Sequence, residues 1–254
     1  MQITIIGSGN IAHHLGKAFY GAGHRIAQVY SRNRENAEIL AKDVESERID
    51  DLSALKTDAD LYVLAVSDQA ISAVVEALPK SLSGIVVHTS GATSVALLDR
   101  FAHYGVIYPP QSLSKHVEAD LSEIPFAIEA NQEANYQKLL ALMQPLAPKS
   151  FQANSEQRLA LHLSAVFANN FSNAMYRIAF ELLAKQNLPV NLIRPIIAET
   201  AKKVQQHDPK SVQTGPAKRN DSETMEKHLN YLKQLPDWQS IYQIISDFII
   251  KSEI

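Results

Sequence analysis

The sequence predicts an α/β fold in which a doubly wound, mainly parallel sheet is followed by an all-helical C-terminal domain. Two observations carry this prediction. Short apolar runs alternate with helical stretches up to about residue 153, and helical periodicity alone continues after that point. Proline and polar clusters separate the later helical stretches. We therefore predict two domains, residues 1–153 and residues 154–254.

Seven short runs have the apolar, β-branched character of buried parallel strands. They are Ile3–Ile6, Ile26–Tyr30, Leu61–Val66, Ile85–His88, Val106–Tyr108, Phe126–Ile128 and Lys149–Phe151. Between the fifth and the sixth run, Pro109-Pro110 and several polar residues without a clear period predict a loop. After residue 153, periodicity predicts helices over residues 155–186, 189–206, 221–234 and 237–251.

Composition excludes several classes of function. The 254 residues carry 27 acidic and 24 basic side chains, a net charge of -3, so no general basic field exists to bind nucleic acid or an anionic membrane. The chain has no cysteine, and its nine histidines lack zinc-ligand spacing, so we predict no metal site. No apolar run approaches the roughly 20 residues that cross a bilayer. A cytoplasmic location is expected, because the N-terminus begins with a strand-like run instead of a secretory signal.

A phosphate-binding loop is the strongest chemical signal. Gly7-Ser8-Gly9-Asn10-Ile11-Ala12 is a G-x-G-x-x-A sequence that directly follows the first strand and opens a helix. In a Rossmann-type fold the first glycine permits the tight turn, the second leaves room for a pyrophosphate, and the alanine allows close packing of helix and strand. Free amides at the helix start would then face the anion. The alternative is a glycine turn without a ligand.

The end of the second strand favours NADP over NAD. An acidic residue would accept hydrogen bonds from the ribose of NAD, and none is present there. The sequence instead offers the hydroxyl of Ser31 and the guanidinium groups of Arg32 and Arg34, which suit a 2′-phosphate. The alternative is that both arginines are solvated charges at a helix start.

Two further strand ends belong to the crevice in which open α/β sheets bind ligands. Val66 ends the third strand and Ser67 follows it, and Thr89 and Ser90 follow the fourth. Their polar groups could contact the nicotinamide half of the cofactor. Equally, Ser67 could cap a helix, and residues 89–91 could form a polar turn.

The first long helix carries a polar stripe. His162, Asn169 and Asn170 lie at helical spacing on one face, whereas most of the neighbouring positions are apolar, so the helix is predicted to be buried. Buried polar groups need partners, which a cleft with cofactor and substrate would supply. His162 is the candidate proton donor, because histidine gains and loses a proton near neutral pH. The alternatives are an internal hydrogen-bond network and a polar dimer seam.

A second polar constellation precedes a later helix. Arg219 could anchor a substrate carboxylate or a cofactor phosphate, with Asp221 holding its geometry. The competing interpretation is a loop and helix cap without a ligand, in which Asn220 and Glu223 form a capping box.

The chain resembles a superfamily of NADP-dependent oxidoreductases. The features that carry the resemblance are the motifs Gly7–Ala12, Ser31-Arg32 and 65–68 and the helical second half. That superfamily includes pyrroline-5-carboxylate reductase, ketopantoate reductase and hydroxyacid dehydrogenases. Residues 162–170 and 214–228 are similar to an uncharacterised branch of it. The resemblance implies nucleotide binding by the Gly7 loop, Ser31 and Arg32, a site between the two domains, and a homodimer formed through the helices. Hydroxyacid dehydrogenases use a lysine four residues before the helix asparagine, and Val166 stands there instead.

The leading hypothesis is an enzyme that uses NADP(H) to transfer hydride to or from a small carbonyl, hydroxyl or imine compound. His162 would donate the proton, Asn169 and Asn170 would hold the substrate, and Arg219 would be an anion anchor. One rival is a sensor or scaffold that binds NADP(H) without turnover, and another is a structural dimer with a vestigial phosphate loop. The sequence also leaves open whether a reduced deazaflavin replaces NADPH.

Overall fold

The computed structural model describes residues 1–115 and 117–252. The chain forms two compact units, Met1–Asn170 and Phe171–Ile254. The sequence predicts a domain boundary after residue 153, where the strands end; the first compact unit extends further and also includes the helix that follows.

The first unit is built on one eight-stranded sheet with the order β3-β2-β1-β4-β5-β6-β7-β8. All neighbours run parallel except β6 and β7, which are antiparallel, so the predicted mainly parallel sheet is confirmed. The strands are β1 (Gln2–Ile6), β2 (Arg25–Tyr30), β3 (Glu47–Ile49), β4 (Leu61–Leu64), β5 (Ile85–His88), β6 (Tyr104–Tyr108), β7 (Ala127–Ala130) and β8 (Phe151–Gln152).

Helices cover both faces of this sheet. They are α1 (Asn10–Gly21), α2 (Arg34–Asp43), α3 (Asp68–Ala77) and α4 (Glu133–Met143). Side chains alternate along each strand between the two resulting cores. On β4, Leu61 and Val63 join the core that contains Leu15 of α1, whereas Leu64 joins the core that contains Ile71 of α3. Burial on both faces explains why the central strands are continuous apolar runs.

The helical second half follows the predicted pattern with one interruption. The long helix begins at α5 (Ser155–Ala165), passes through a π-helical segment (Val166–Phe171) and continues as α6 (Ser172–Lys185). The second unit also contains α7 (Arg194–Gln206), α8 (Ser222–Tyr231) and α9 (Pro236–Ser252). No helix within residues 1–115 and 117–252 is both long enough and apolar enough to span a membrane.

The prediction that the long helix is buried is wrong for the single chain. Leu159, Leu163 and Phe167 repeat at helical spacing on one face and are 49%, 53% and 61% exposed. Within residues 171–252, the buried side chains are only Ala217, Leu232 and Ser246. Apolar periodicity marks a face that contacts something, but it does not identify the partner.

Candidate functional site

Gly7 makes the tight turn between β1 and α1. Its φ of +126° lies in the region that favours glycine. A Cβ atom at this position would lie only 2.1 Å from the carbonyl oxygen of Ala65, at the end of β4. The turn can therefore form beside β4 only with glycine, and it brings the loop across the carboxyl ends of β1 and β4.

Gly9 differs from Gly7, because a Cβ atom added there would meet no protein atom within 4 Å. Gly9 is the N-cap residue of α1 and supplies no side-chain hydrogen bond to the first helical amides. These amides lack intrahelical acceptors, which is the arrangement that receives phosphate at a helix start. Ala12 is fully buried at the contact between α1 and the sheet.

A cavity of about 710 Å³ lies beside this loop. The cofactor residues predicted from the sequence that line it are Gly7, Ser8, Gly9, Ser31, Arg32, Val66 and Ser67. The hydroxyl of Ser8 donates to the Ser31 hydroxyl oxygen at 2.8 Å, which joins the loop to the end of β2. Arg34 lies outside this lining and pairs with Asp50, with 3.3 Å between Nε and Oδ1.

Other residues of the predicted cofactor set lie elsewhere. The side chain of Asn10 binds the 113–115 segment, donating to the carbonyl of Leu113 at 2.8 Å and accepting from the amide of Lys115 at 3.1 Å. Ile11 packs against the core. Only their backbone amides, at the start of α1, remain suited to a phosphate.

Thr89 and Ser90 are buried and do not line this cavity. The hydroxyl of Ser90 accepts hydrogen bonds from the amides of Ala92 and Thr93, which is the polar turn that the sequence allowed. Ser67 precedes α3, but its side chain makes no capping hydrogen bond.

His162 lies over the carboxyl ends of β5 and β6. Its Nδ1 is 3.1 Å from the hydroxyl oxygen of Tyr108, the last residue of β6, and the two rings meet edge to face. Gly91, just after β5, packs so closely that a Cβ atom there would lie within 2.8 Å of both side chains. Burial and the charge of Asp68 raise the pKa of the Tyr108 hydroxyl, so this group keeps its proton at neutral pH.

An ion pair that sequence analysis missed fixes α5 to the sheet. Arg158, one turn before His162, is 1% exposed and pairs with Glu129 of β7. Its guanidinium also donates to the carbonyls of Ser90 and Thr93, and the Ser155 hydroxyl donates to the Glu129 carboxylate. The only available signal was an arginine in the first turns of a helix, which is too common to be informative.

Two of the remaining catalytic candidates follow His162 on the same long helix, and the structure describes no hydrogen bond between either of them and His162. Asn169 and Asn170 lie in the π-helical segment and are exposed. Arg219 is exposed in the second unit, and the carboxylate of Asp221 caps α8 by accepting hydrogen bonds from the amide and the hydroxyl of Thr224. The predicted Asn220–Glu223 capping box is therefore wrong. No group of three or more acidic or histidine side chains within the described residues could hold a metal ion.

Comparison with family models divides the chain into two matches. Residues 2–92 match the model described as NADP oxidoreductase coenzyme F420-dependent. Residues 124–249 match a domain of unknown function, DUF2520. A search of curated proteins found no match.

Among solved structures, the "putative NADP oxidoreductase BF3122" of Bacteroides fragilis is 42% identical, with 98% of each chain covered and a TM-score of 0.88. The chain belongs to this NADP oxidoreductase family. The same fold is shared by an imine reductase of Myxococcus stipitatus in complex with NADP+, at 16% identity, 99% and 92% coverage and a TM-score of 0.66. It is also shared by a 1-pyrroline-5-carboxylate reductase of Streptococcus pyogenes, at 14% identity, 99% and 98% coverage and a TM-score of 0.64.

The cavity beside the Gly7 loop of this oxidoreductase fits a dinucleotide. Gly9 leaves open space where the pyrophosphate would approach the helix start. Arg32 lines the cavity just after β2 and provides a cation that would hold the additional 2′-phosphate of NADP. The chemistry and position of these groups agree with NADP as the cofactor.

Proposed function

We propose that this NADP oxidoreductase reduces a small compound with a carbon–nitrogen or carbon–oxygen double bond, with hydride from NADPH and a proton held by His162. The Tyr108–His162 pair carries the proposal, because it lies at the same carboxyl edge of the sheet as the Gly7 loop. Two proteins of the same fold, an imine reductase and a pyrroline-5-carboxylate reductase, are named for carbon–nitrogen double bonds, which favours an imine.

The residues of the chain divide the reaction between them. The Gly7 loop would hold the pyrophosphate, and Ser31 and Arg32 would hold the 2′-phosphate. NADPH supplies hydride to the substrate carbon when it is bound. His162 would supply a proton to the nitrogen or oxygen that gains the electron pair of the double bond. Asn169, Asn170 and Arg219 stay candidate substrate contacts, and the cytoplasmic location stays a prediction.

Cofactor preference is the first result we expect. Titration with NADPH should raise the thermal midpoint more than titration with NADH, because a ligand that binds only the folded state stabilises it by RT ln(1 + [L]/Kd). Arg32→Ala is expected to raise the Kd for NADPH by about tenfold, the cost of one charge-assisted contact, and to leave NADH unchanged. Arg34→Ala is the matched control, because Arg34 pairs with Asp50 outside the cavity. Equal loss in both variants would contradict the role of Arg32.

Turnover should depend on His162. His162→Ala is expected to lower kcat at least about tenfold while the Kd for NADPH stays unchanged, because proton transfer is removed and the phosphate contacts remain. NADPH oxidation with small cyclic imines and ketones measures this. His207→Ala, which alters an exposed histidine at the end of α7, should behave like the wild-type protein. Normal turnover in His162→Ala would show that the proton has another source, and binding without turnover of any compound would favour a sensor.

We also propose that two copies associate through their helical surfaces. The exposed apolar side chains of α9 include Ile244 and Phe248, at 68% and 70%, in addition to the α5 face described above. A unit of this size that buries so few apolar side chains needs a further surface to cover them. A second copy presents the same apolar faces, and a two-fold dimer would bury them against each other. Gel filtration at low micromolar concentration is expected to give a dimer, and a monomeric elution volume would contradict this proposal.

A further inference from the structure

The Tyr108–His162 pair has a geometry that can fix which ring nitrogen of His162 carries the proton. A neutral imidazole has one donor nitrogen and one acceptor nitrogen, and the hydrogen bond at one of them decides the state of the other. Nδ1 lies 3.1 Å from the Tyr108 hydroxyl oxygen. Nε2 is therefore the nitrogen left to a ligand.

The hydroxyl of Tyr108 has the character of a donor. The side chain is buried at the end of β6, and both burial and the nearby carboxylate of Asp68 favour its protonated form. A phenol that holds its proton can donate it to an imidazole nitrogen, and in that arrangement Nδ1 of His162 is the acceptor. The exposed pair His228 and Tyr242 has a similar distance, 2.9 Å, but it lies in water, where competing partners weaken the control of one hydrogen bond.

Packing fixes the two rings relative to each other. Gly91 lies against both of them, and a side chain at that position would separate them. Arg158, one turn earlier on α5, is bonded to Glu129 and to the carbonyl of Ser90. The pair is thus held by the turn after β5, by the end of β6 and by a helix that is itself anchored to β7.

We propose that Tyr108 is a positioning residue that donates to Nδ1 of His162 and so keeps the proton of the neutral ring on Nε2, ready for transfer to the substrate heteroatom. This inference rests on the proposed function for the transfer step. In that step the Nε2–H bond breaks, a bond from that hydrogen to the substrate nitrogen or oxygen forms, and hydride from NADPH completes the reduction. The Tyr108 hydroxyl proton passes to Nδ1 at the same time, so the ring stays neutral. Nε2 then takes a proton from solvent, and Nδ1 returns its proton to Tyr108.

Nitrogen-15 spectra of the histidine rings test the tautomer without any substrate. The intact protein is labelled at histidine and measured at about pH 8.5, where histidine is ordinarily neutral, with the His162 signals assigned from their loss in His162→Ala. In the wild-type protein we expect Nδ1 to appear unprotonated and Nε2 protonated. In Tyr108→Phe, both signals should move toward the averaged position of exchanging tautomers. Tyr104→Phe, on the same strand, is the matched control and should leave them in place.

A protonated Nδ1 in the wild-type protein would overturn the inference, and this measurement requires no variant to fold. Signals unchanged in Tyr108→Phe would overturn it as well. Kinetics separate the two proposals. If His162→Ala lowers turnover, Tyr108→Phe should lower kcat about three- to tenfold at constant KM, as expected for one lost hydrogen bond. If His162→Ala leaves turnover unchanged while the spectra show the expected tautomer, the proposed catalytic role of His162 fails, and the hydrogen bond from Tyr108 to His162 still stands.

Discussion

Replacing Gly7 by alanine is expected to destabilise the protein and to abolish tight binding of NADPH. The new Cβ would lie 2.1 Å from the carbonyl oxygen of Ala65, at a φ of +126° that alanine rarely adopts. The strain and the displaced backbone should cost about 2–4 kcal/mol. For a chain of this length that is roughly 4–16 °C in thermal midpoint. Thermal unfolding of the free protein and titration with NADPH measure both effects.

Gly9→Ala separates an effect on ligand binding from an effect on folding. Because no protein atom lies within 4 Å of the added carbon, the thermal midpoint of the free protein should not change. The same carbon would occupy the approach of the pyrophosphate, so the Kd for NADPH should rise at least about tenfold. Wild-type affinity in Gly9→Ala would show that the phosphates bind somewhere other than the start of α1.

Removing the guanidinium of Arg158 is expected to give the largest loss of stability. Arg158→Met keeps most of the side-chain volume but leaves the Glu129 carboxylate, 14% exposed, without its cation. The carbonyls of Ser90 and Thr93 lose a donor at the same time. Breaking one side of a buried ion pair typically costs about 3–5 kcal/mol. Urea unfolding measures this, and kcat should fall as well, because α5 carries His162.

Two control variants test whether the loss of stability comes from the unpaired buried carboxylate. The double variant Arg158→Met with Glu129→Gln should recover part of the lost stability, since the unpaired carboxylate is gone. Lys149→Ala breaks an ion pair with Glu123 whose side chains are 51% and 71% exposed, and it should cost at most about 1 kcal/mol. A loss in Arg158→Met as small as that of Lys149→Ala would mean that the pair does not hold α5.

The sequence could predict the sheet because its central strands are buried on both faces and therefore read as unbroken apolar runs. It could not predict β3, because Glu47–Ile49 is a three-residue edge strand with two charged side chains, and only its pairing with β2 makes it a strand. The π-helical segment was also missed. Residues 166–171 keep helical composition, so nothing local distinguishes the wider turn from an α-helix.

At the candidate site, the sequence could predict features formed by neighbouring residues, but it could not predict contacts between residues far apart in the chain. The turn at Gly7 follows from a short motif, and its geometry needs only the adjacent strand. Tyr108 and His162 are 54 residues apart, and Glu129 and Arg158 are 29 apart. Only the folded sheet brings these pairs together. Ser90 lies at a strand end, where the sequence allowed both a ligand contact and a polar turn, and the structure shows its hydroxyl in the turn.

His88, the last residue of β5, makes the folded protein less stable at low pH. Its side chain is fully buried, Nδ1 accepts from the amide of Ser90, and Nε2 has no hydrogen-bond partner among the described residues. Burial, and then the charge of Arg158, lower its pKa from 6.5 to about 4. Between about pH 6.5 and pH 4, His88 is protonated in the unfolded chain but not in the folded chain. The free energy of unfolding therefore falls as the pH is lowered through this range. Below about pH 4 His88 is protonated in both states and its effect no longer grows. Through His88, the stability of the nucleotide-binding unit therefore depends on the pH of its surroundings.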